Sequence, residues 1–216
     1  MIIKRIICKV IEDQKVAFHE NQKQWSSLSK EKGFIGQVGG WSNEEPLTAC
    51  IYAFWESQED YDYFMNEVHD EIFVPSDQGS TYSSIDVRLF DERGSIFRNE
   101  SELNSVLWKS EYIRVTLAKV REDRLDHFVE MQQKVWSPGM GKSEGMLGGV
   151  YSFSQNEKGL FLTLSGWENE VCHHMYVKNR YPRLVEAAKL MEDAEGIVGE
   201  GFKVEDEWRV LKMDNC

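Results

Sequence analysis

Proton transfer near neutral pH is the chemistry that these residue types offer most directly. Two of the five histidines are placed for it. His69 lies in NEVHDEIF, on a stretch where Tyr61, Phe64, Met65, Val68 and Ile72 recur at i, i+3, i+4, i+7 and i+11. That spacing predicts an amphipathic helix with His69 beside its apolar stripe, in reach of the mouth of a cavity under the helix. His173, in EVCHHMYVK, takes a core-facing position on a second helix. A histidine facing a cavity can take up or deliver a proton, and burial without a partner is costly. Both also have a plain structural reading. His69 can be a half-exposed helix residue near Asp70 and Glu71, and His173 a hydrogen-bonded core residue.

A second set of candidates is aromatic. Seven tryptophans in 216 residues is a high content. Trp25, Trp55, Trp136 and Trp167, with Tyr61 and Tyr176, are candidate walls for a flat aromatic ligand. Packing is the competing use, because large aromatics dominate cores by buried area alone. No histidine pair has metal-ligand spacing, and the adjacent His173 and His174 point about 100° apart on a helix. No C-x-x-C occurs among Cys8, Cys50, Cys172 and Cys216. The glycines of GFIGQVGG lack the G-x-G-x-x-G order of a dinucleotide loop. The expectation is no metal, flavin or nicotinamide cofactor.

A net charge of −12, from 37 acidic and 25 basic residues, disfavours nucleic-acid phosphates and anionic membrane surfaces, which need a basic face. No apolar run approaches the roughly 20 residues of a membrane span. The start, MIIKRIICKVIEDQ, lacks a signal-peptide pattern, so a cytoplasmic location is expected. The aromatic candidates make a small aromatic molecule the expected ligand.

The elements that must position these residues occur twice. Seven positions match between KVIEDQKVAFHENQ (9–22) and KVREDRLDHFVEMQ (119–132), at an offset of 110. The offset becomes 111 at Trp25 and Trp136, then 112 where Gly33, Gly36 and Val38 meet Gly145, Gly148 and Val150. At 112, Trp55 meets Trp167, Tyr61 meets His173 and His69 meets Tyr181. The preserved order reads as a tandem duplication. The halves are 1–91 and 111–212, with 92–110 as a connector that holds a short helix capped by Asn99 or Ser101.

Each half reads β-α-β-β-α-β, the ferredoxin-like split βαβ motif. In the second half, Pro182 breaks the second helix. A further helix follows, with Leu184, Ala187, Ala188 and Met191 on one face, and FKVEDEWRV forms the last strand. Because such a sheet carries helices on one face only, its other face needs a cover. The expected fold class is α+β: tandem ferredoxin-like repeats whose two antiparallel four-stranded sheets pack into an α/β barrel within one chain. Such a pseudo-dimer could be a monomer or form a homodimer. At most one half is expected to keep an open cavity.

The G-F-x-G-x-x-G-G-W start of strand two, and the W-E-S-x-E-x-Y-x-x-F stretch from Trp55 to Phe64, resemble the antibiotic-biosynthesis-monooxygenase-like dimeric α/β barrels. Within these they resemble the YdbC-like family. The resemblance implies a cofactor-independent monooxygenase-like oxidoreductase acting on a small aromatic or polyketide-like molecule, with His173 or His69 moving protons. It leaves open a non-catalytic ligand-binding or stress-related protein of the same fold, and a haem-binding or haem-degrading one. The haem-degrading branch uses a strand-one asparagine with a tryptophan and a histidine near the second helix. Strand one, IIKRIICKV, has no asparagine, and Trp55 and His69 stand 14 residues apart, so haem is not expected as a cofactor either.

Overall fold

The run IIKRIICKV is rich in β-branched residues and forms strand β1 (Ile2–Val10), buried along nearly its whole length. In the computed structural model, which describes residues 1–97 and 102–212, the chain divides into two units. One comprises Met1–Leu89 with the end of the chain from Phe202, and the other Phe90–Gly201.

In the first unit, β1 leads through a 3-10 turn to helix α1 (Lys15–Lys23) and a 3-10 stretch over Gln24–Lys30. Strands β2 (Phe34–Trp41) and β3 (Thr48–Trp55) follow. All eight residues of β3 are buried, as its unbroken apolar run anticipates. Gly33 opens β2 at a φ of +69°, where any side chain would be strained and would overlap Asp60.

Helix α2 (Gln58–Tyr63) is capped by Ser57, whose side chain accepts from the Asp60 N–H at 3.1 Å. A π-helical turn over Phe64–Val68 carries it into α3 (His69–Ser76). The first half of β4 (Tyr82–Phe97) completes the split βαβ order. In the first unit the strands lie in the order β4-β1-β3-β2, and both β1 and β2 run antiparallel to β3.

The second unit begins with the rest of β4, whose residues Phe90–Phe97 pair with β6 (Met146–Ser154). It continues with α4 (Leu103–Lys109), β5 (Tyr112–Val120), α5 (Leu125–Met131), a π turn over Gln132–Trp136 and α6 (Ser137–Gly141). After β6 come β7 (Leu160–Trp167), α7 (Glu170–Asn179), α8 (Tyr181–Ala187), α9 (Leu190–Asp193) and β8 (Ala194–Lys203). The strand order is β8-β5-β7-β6-β4. Its core gathers Phe128, Tyr151, Phe161, Trp167 and Tyr176. Both units are therefore α+β and ferredoxin-like.

Four expectations are corrected. Strand β4 runs past residue 91, so the stretch expected as a connector starts inside a strand and buries Ile96 completely. The short helix does form, while Asn99 and Ser101 lie outside the described residues. Each unit also holds more than four strands: the first gains β9 (Val210–Leu211), paired with β2, and the second gains the far half of β4.

Next, FKVEDEWRV is not the last strand of the second half. That strand is AEGIVGEGFK, and the stretch after it forms a 3-10 turn (Asp206–Trp208) and β9 in the first unit. Trp208 is fully buried there with Cys8, Val10, Phe18, Ala49 and Ile51. Finally, Met191 does not face the core. Lys189 adopts a left-handed conformation (φ 52°), which rephases the helix so that Leu190 turns inward and Met191 is 72% exposed.

Candidate functional site

The alternation of β1 sends its even-numbered residues to the helix-covered side of the sheet. Lys4, Ile6 and Cys8 thus share a wall with Ile51, Ala53 and Trp55 of β3, consistent with the register Lys4↔Ala53 and Ile6↔Ile51. Between this wall and the helices lies a cavity of about 380 Å³. Gln22, Trp25, Tyr61, Phe64, Met65 and His69 close it from the helix side. Ile85 and Val87 of β4 also line it and are 47% and 45% exposed, which places them at the mouth.

His69 is held from both sides. Its ring lies 5.4 Å from the rings of Trp25 and Phe73 and 5.9 Å from that of Phe64. Its Nδ1 pairs with Asp70 Oδ1 at 2.9 Å, which leaves Nε2 as the proton-accepting nitrogen. Trp25 Nε1 donates to Gln78 Oε1 at 2.8 Å, and Gln78 Nε2 donates to Gln22 Oε1 at 2.9 Å. This chain fixes the plane of the Trp25 indole. Burial raises the Cys8 thiol to about 12 and also raises the Tyr61 phenol. Neither is an anion at neutral pH, and Cys8 is an inert wall residue.

Lys4 is the residue that sequence reasoning missed. It is 93% buried, and its Nζ meets only soft partners, Met65 Sδ at 3.3 Å and the face of Tyr61 at 5.5 Å. Among the described residues no carboxylate lies within ion-pair distance of it. Desolvation lowers its pKa from 10.5 to about 8. A signal was present: Lys4 and Arg114 match at the repeat offset of 110 and fall at the same place on their strands.

The second unit has its own cavity, of about 220 Å³, built from the matching positions. Where the first has Lys4, Ile6, Ile51, Ala53 and Tyr61, the second has Arg114, Thr116, Thr163, Ser165 and His173. Two cavities exist rather than the single one expected, and the second is smaller and more polar. His173 is 95% buried, with Nδ1 unpartnered among the described residues. It lies among the rings of Tyr112, Trp167 and Tyr176. Desolvation, aided by Arg114 and His174, lowers its pKa from 6.5 to about 4, so it is neutral at physiological pH.

Trp136 and Tyr176 line this cavity with His173. Trp167 does not. It is wholly buried behind them, with Nε1 donating to Ser165 Oγ at 3.0 Å. His69 and His173 thus serve different cavities. No cluster of three metal-ligating side chains occurs among the described residues. No helix among them is long and apolar enough to cross a membrane. The cavity-facing residues of β1 include no asparagine, so they do not fit the haem-degrading pattern.

The chain resembles known proteins at two levels. Over its whole length the likeness is one of fold. A Lactobacillus acidophilus protein provisionally assigned as a monooxygenase superposes with a TM-score of 0.76 at 11% identity, over 98% of this chain and 96% of that one. An anthrone oxidase-like protein gives 0.70 at 12% identity, over 94% and 90%. A Listeria monocytogenes ferredoxin-fold protein related to antibiotic biosynthesis monooxygenases gives 0.52 at 11%, over 95% of both chains. In sequence, residues 2–90 match a domain of unknown function, DUF4937. The uncharacterised protein YdbC of Bacillus subtilis is 45% identical over 94 residues, 43% of this chain and 79% of that protein. The chain therefore belongs to the YdbC family, with a DUF4937 domain as its residues 2–90.

Proposed function

We propose that the protein is a cofactor-independent monooxygenase-like enzyme that binds a small electron-rich aromatic molecule in the cavity of the first unit. The observation that carries this reading is the cavity itself. Its volume of about 380 Å³ falls in the roughly 300–1,000 Å³ range of ligand pockets. Trp25, Trp55, Tyr61, Phe64 and Phe73 give it flat apolar walls, and His69 is the oriented base on its helix side.

In the proposed reaction the substrate supplies the electrons and dioxygen accepts them. His69 Nε2 takes a proton from an acidic ring C–H, and the resulting anion reduces dioxygen. Recombination gives a hydroperoxide, which loses water to leave a ketone. For anthrone the balance is one anthrone and one O2 giving one anthraquinone and one water. The protein contributes a dry, ring-shaped space and a proton acceptor. His173, neutral and enclosed, has the matching place in the smaller second cavity. The likeness in fold to an anthrone oxidase-like protein supports the choice of anthrone as the probe.

The test is oxygen uptake with anthrone, followed alongside anthraquinone formation. Equimolar consumption is expected, and His69→Ala should lower kcat by about 10²-fold or more. Absence of catalysed uptake with anthrone and with simpler hydroquinones would leave a binding protein.

A further inference from the structure

We propose that the cavity of the first unit selects ligands bearing an anionic oxygen, which pairs with the Lys4 ammonium while the ring lies against Trp25 and Trp55. The substrate class is thereby narrowed to aromatic acids and to phenols or enols that ionise on binding. This proposal rests on the reading of the cavity as an aromatic binding site.

Three observations converge on Lys4. It is held on the cavity wall by the β1–β3 register, directly opposite Ala53. It is 93% buried, yet the described residues supply no carboxylate to neutralise it. Met65 Sδ and the Tyr61 ring face satisfy it only weakly. A buried ammonium without a counter-ion is a standing cost to the fold. The neighbouring wall is largely apolar, through Ile6, Ile51, Ala53 and Trp55, and its one polar neighbour in the Lys4–Ala53 row, Gln37, donates to the Trp208 carbonyl at 3.3 Å. An anionic ligand oxygen would supply the missing charge in a low-dielectric space, where a charge-assisted hydrogen bond is strongest. For an enolisable substrate, the anion formed by proton loss to His69 would be stabilised by the same ammonium.

The other titratable groups that line the cavity are Cys8, Tyr61, His69 and Tyr82. Burial raises Cys8, Tyr61 and Tyr82 above their ordinary values, so they remain neutral while Lys4 titrates near 8. Anion preference should therefore hold at pH 7 and fade as pH rises beyond about 8.

The experiment compares two probes of one shape, 2-naphthoate and 2-naphthamide, by quenching of tryptophan fluorescence in the full chain at pH 7. The wild type should bind naphthoate about tenfold more tightly or better. Lys4→Met should lose that preference and melt at a higher temperature, because a merely structural lysine would destabilise on removal. Lys4→Arg should keep the preference, and Lys4→Gln serves if the methionine variant does not fold. Equal binding of the two probes by the wild type, or an unchanged preference in Lys4→Met, would overturn the proposal. Binding of naphthamide without preference for naphthoate sinks this inference alone. Failure of both probes to bind the wild type sinks the aromatic-site reading as well.

Discussion

Trp55 and Trp167 hold matching places at the ends of their strands, both almost wholly buried, yet only Trp167 has an acceptor for its indole N–H. That acceptor is Ser165 Oγ, which itself donates to the Arg114 carbonyl at 3.2 Å. The matching residue in the first unit is Ala53, opposite Lys4, and Trp55 Nε1 is left without a partner among the described residues. An unpaired buried donor costs about 1–3 kcal/mol. Ala53→Ser should recreate the arrangement of the second unit, with the new hydroxyl donating to the Lys4 carbonyl and accepting from Trp55. A gain of about 1 kcal/mol in chemical denaturation is expected. A loss would show that the wall has no room for the extra oxygen.

At the scale of elements, the tail after Gly201 stands out, because it leaves the unit it follows in sequence. The Trp208 ring lies 5.1 Å from that of Trp41 and 5.7 Å from that of Phe18, and β9 extends the β2 edge. Trp208→Ala should cost about 3–5 kcal/mol, the usual range for a buried tryptophan. A loss below about 1 kcal/mol in a denaturant titration would mean that the tail adds no packing.

This exchange was not legible in the sequence. The spacing of Phe202, Val204, Trp208 and Val210 fits a strand, while the true strand, AEGIVGEGFK, is glycine-rich and half exposed. Its partner across the sheet, not its own pattern, makes it a strand. What could be read were features set locally: the Ser57 cap, the break at Pro182, and the helix stripe that places Tyr61, Phe64 and His69 on one cavity. Lys4 was hidden for a different reason. IIKRIICKV is apolar on both faces, so alternation alone does not say which face meets the helices.

For the whole molecule, two buried bases shape the response to pH from opposite ends. The folded pKa of His173 lies near 4 and its ordinary value at 6.5, so the unfolded chain takes up this proton first as pH falls. The cost is absent above pH 6.5, grows between 6.5 and 4, and is complete below 4. His173→Phe removes it. The stability advantage of that variant over the wild type should widen by about 2–3 kcal/mol from pH 7 to pH 4, and a difference that does not vary with pH would refute this. Lys4 acts on the alkaline side: its cost is complete below pH 8 and is relieved as pH rises from 8 to 10.5.

The return of the segment after Gly201 to the first unit also sets the order in which the two units can be completed. On a ribosome adding roughly 5–20 residues per second, the unit that closes at Gly201 has all its residues before the unit that opens at Met1. The amino-terminal unit must wait on the order of ten seconds, with the β2 edge bare and the Trp208 site unfilled. Nascent chains are therefore most vulnerable to chaperone capture or to pairing with one another in that interval.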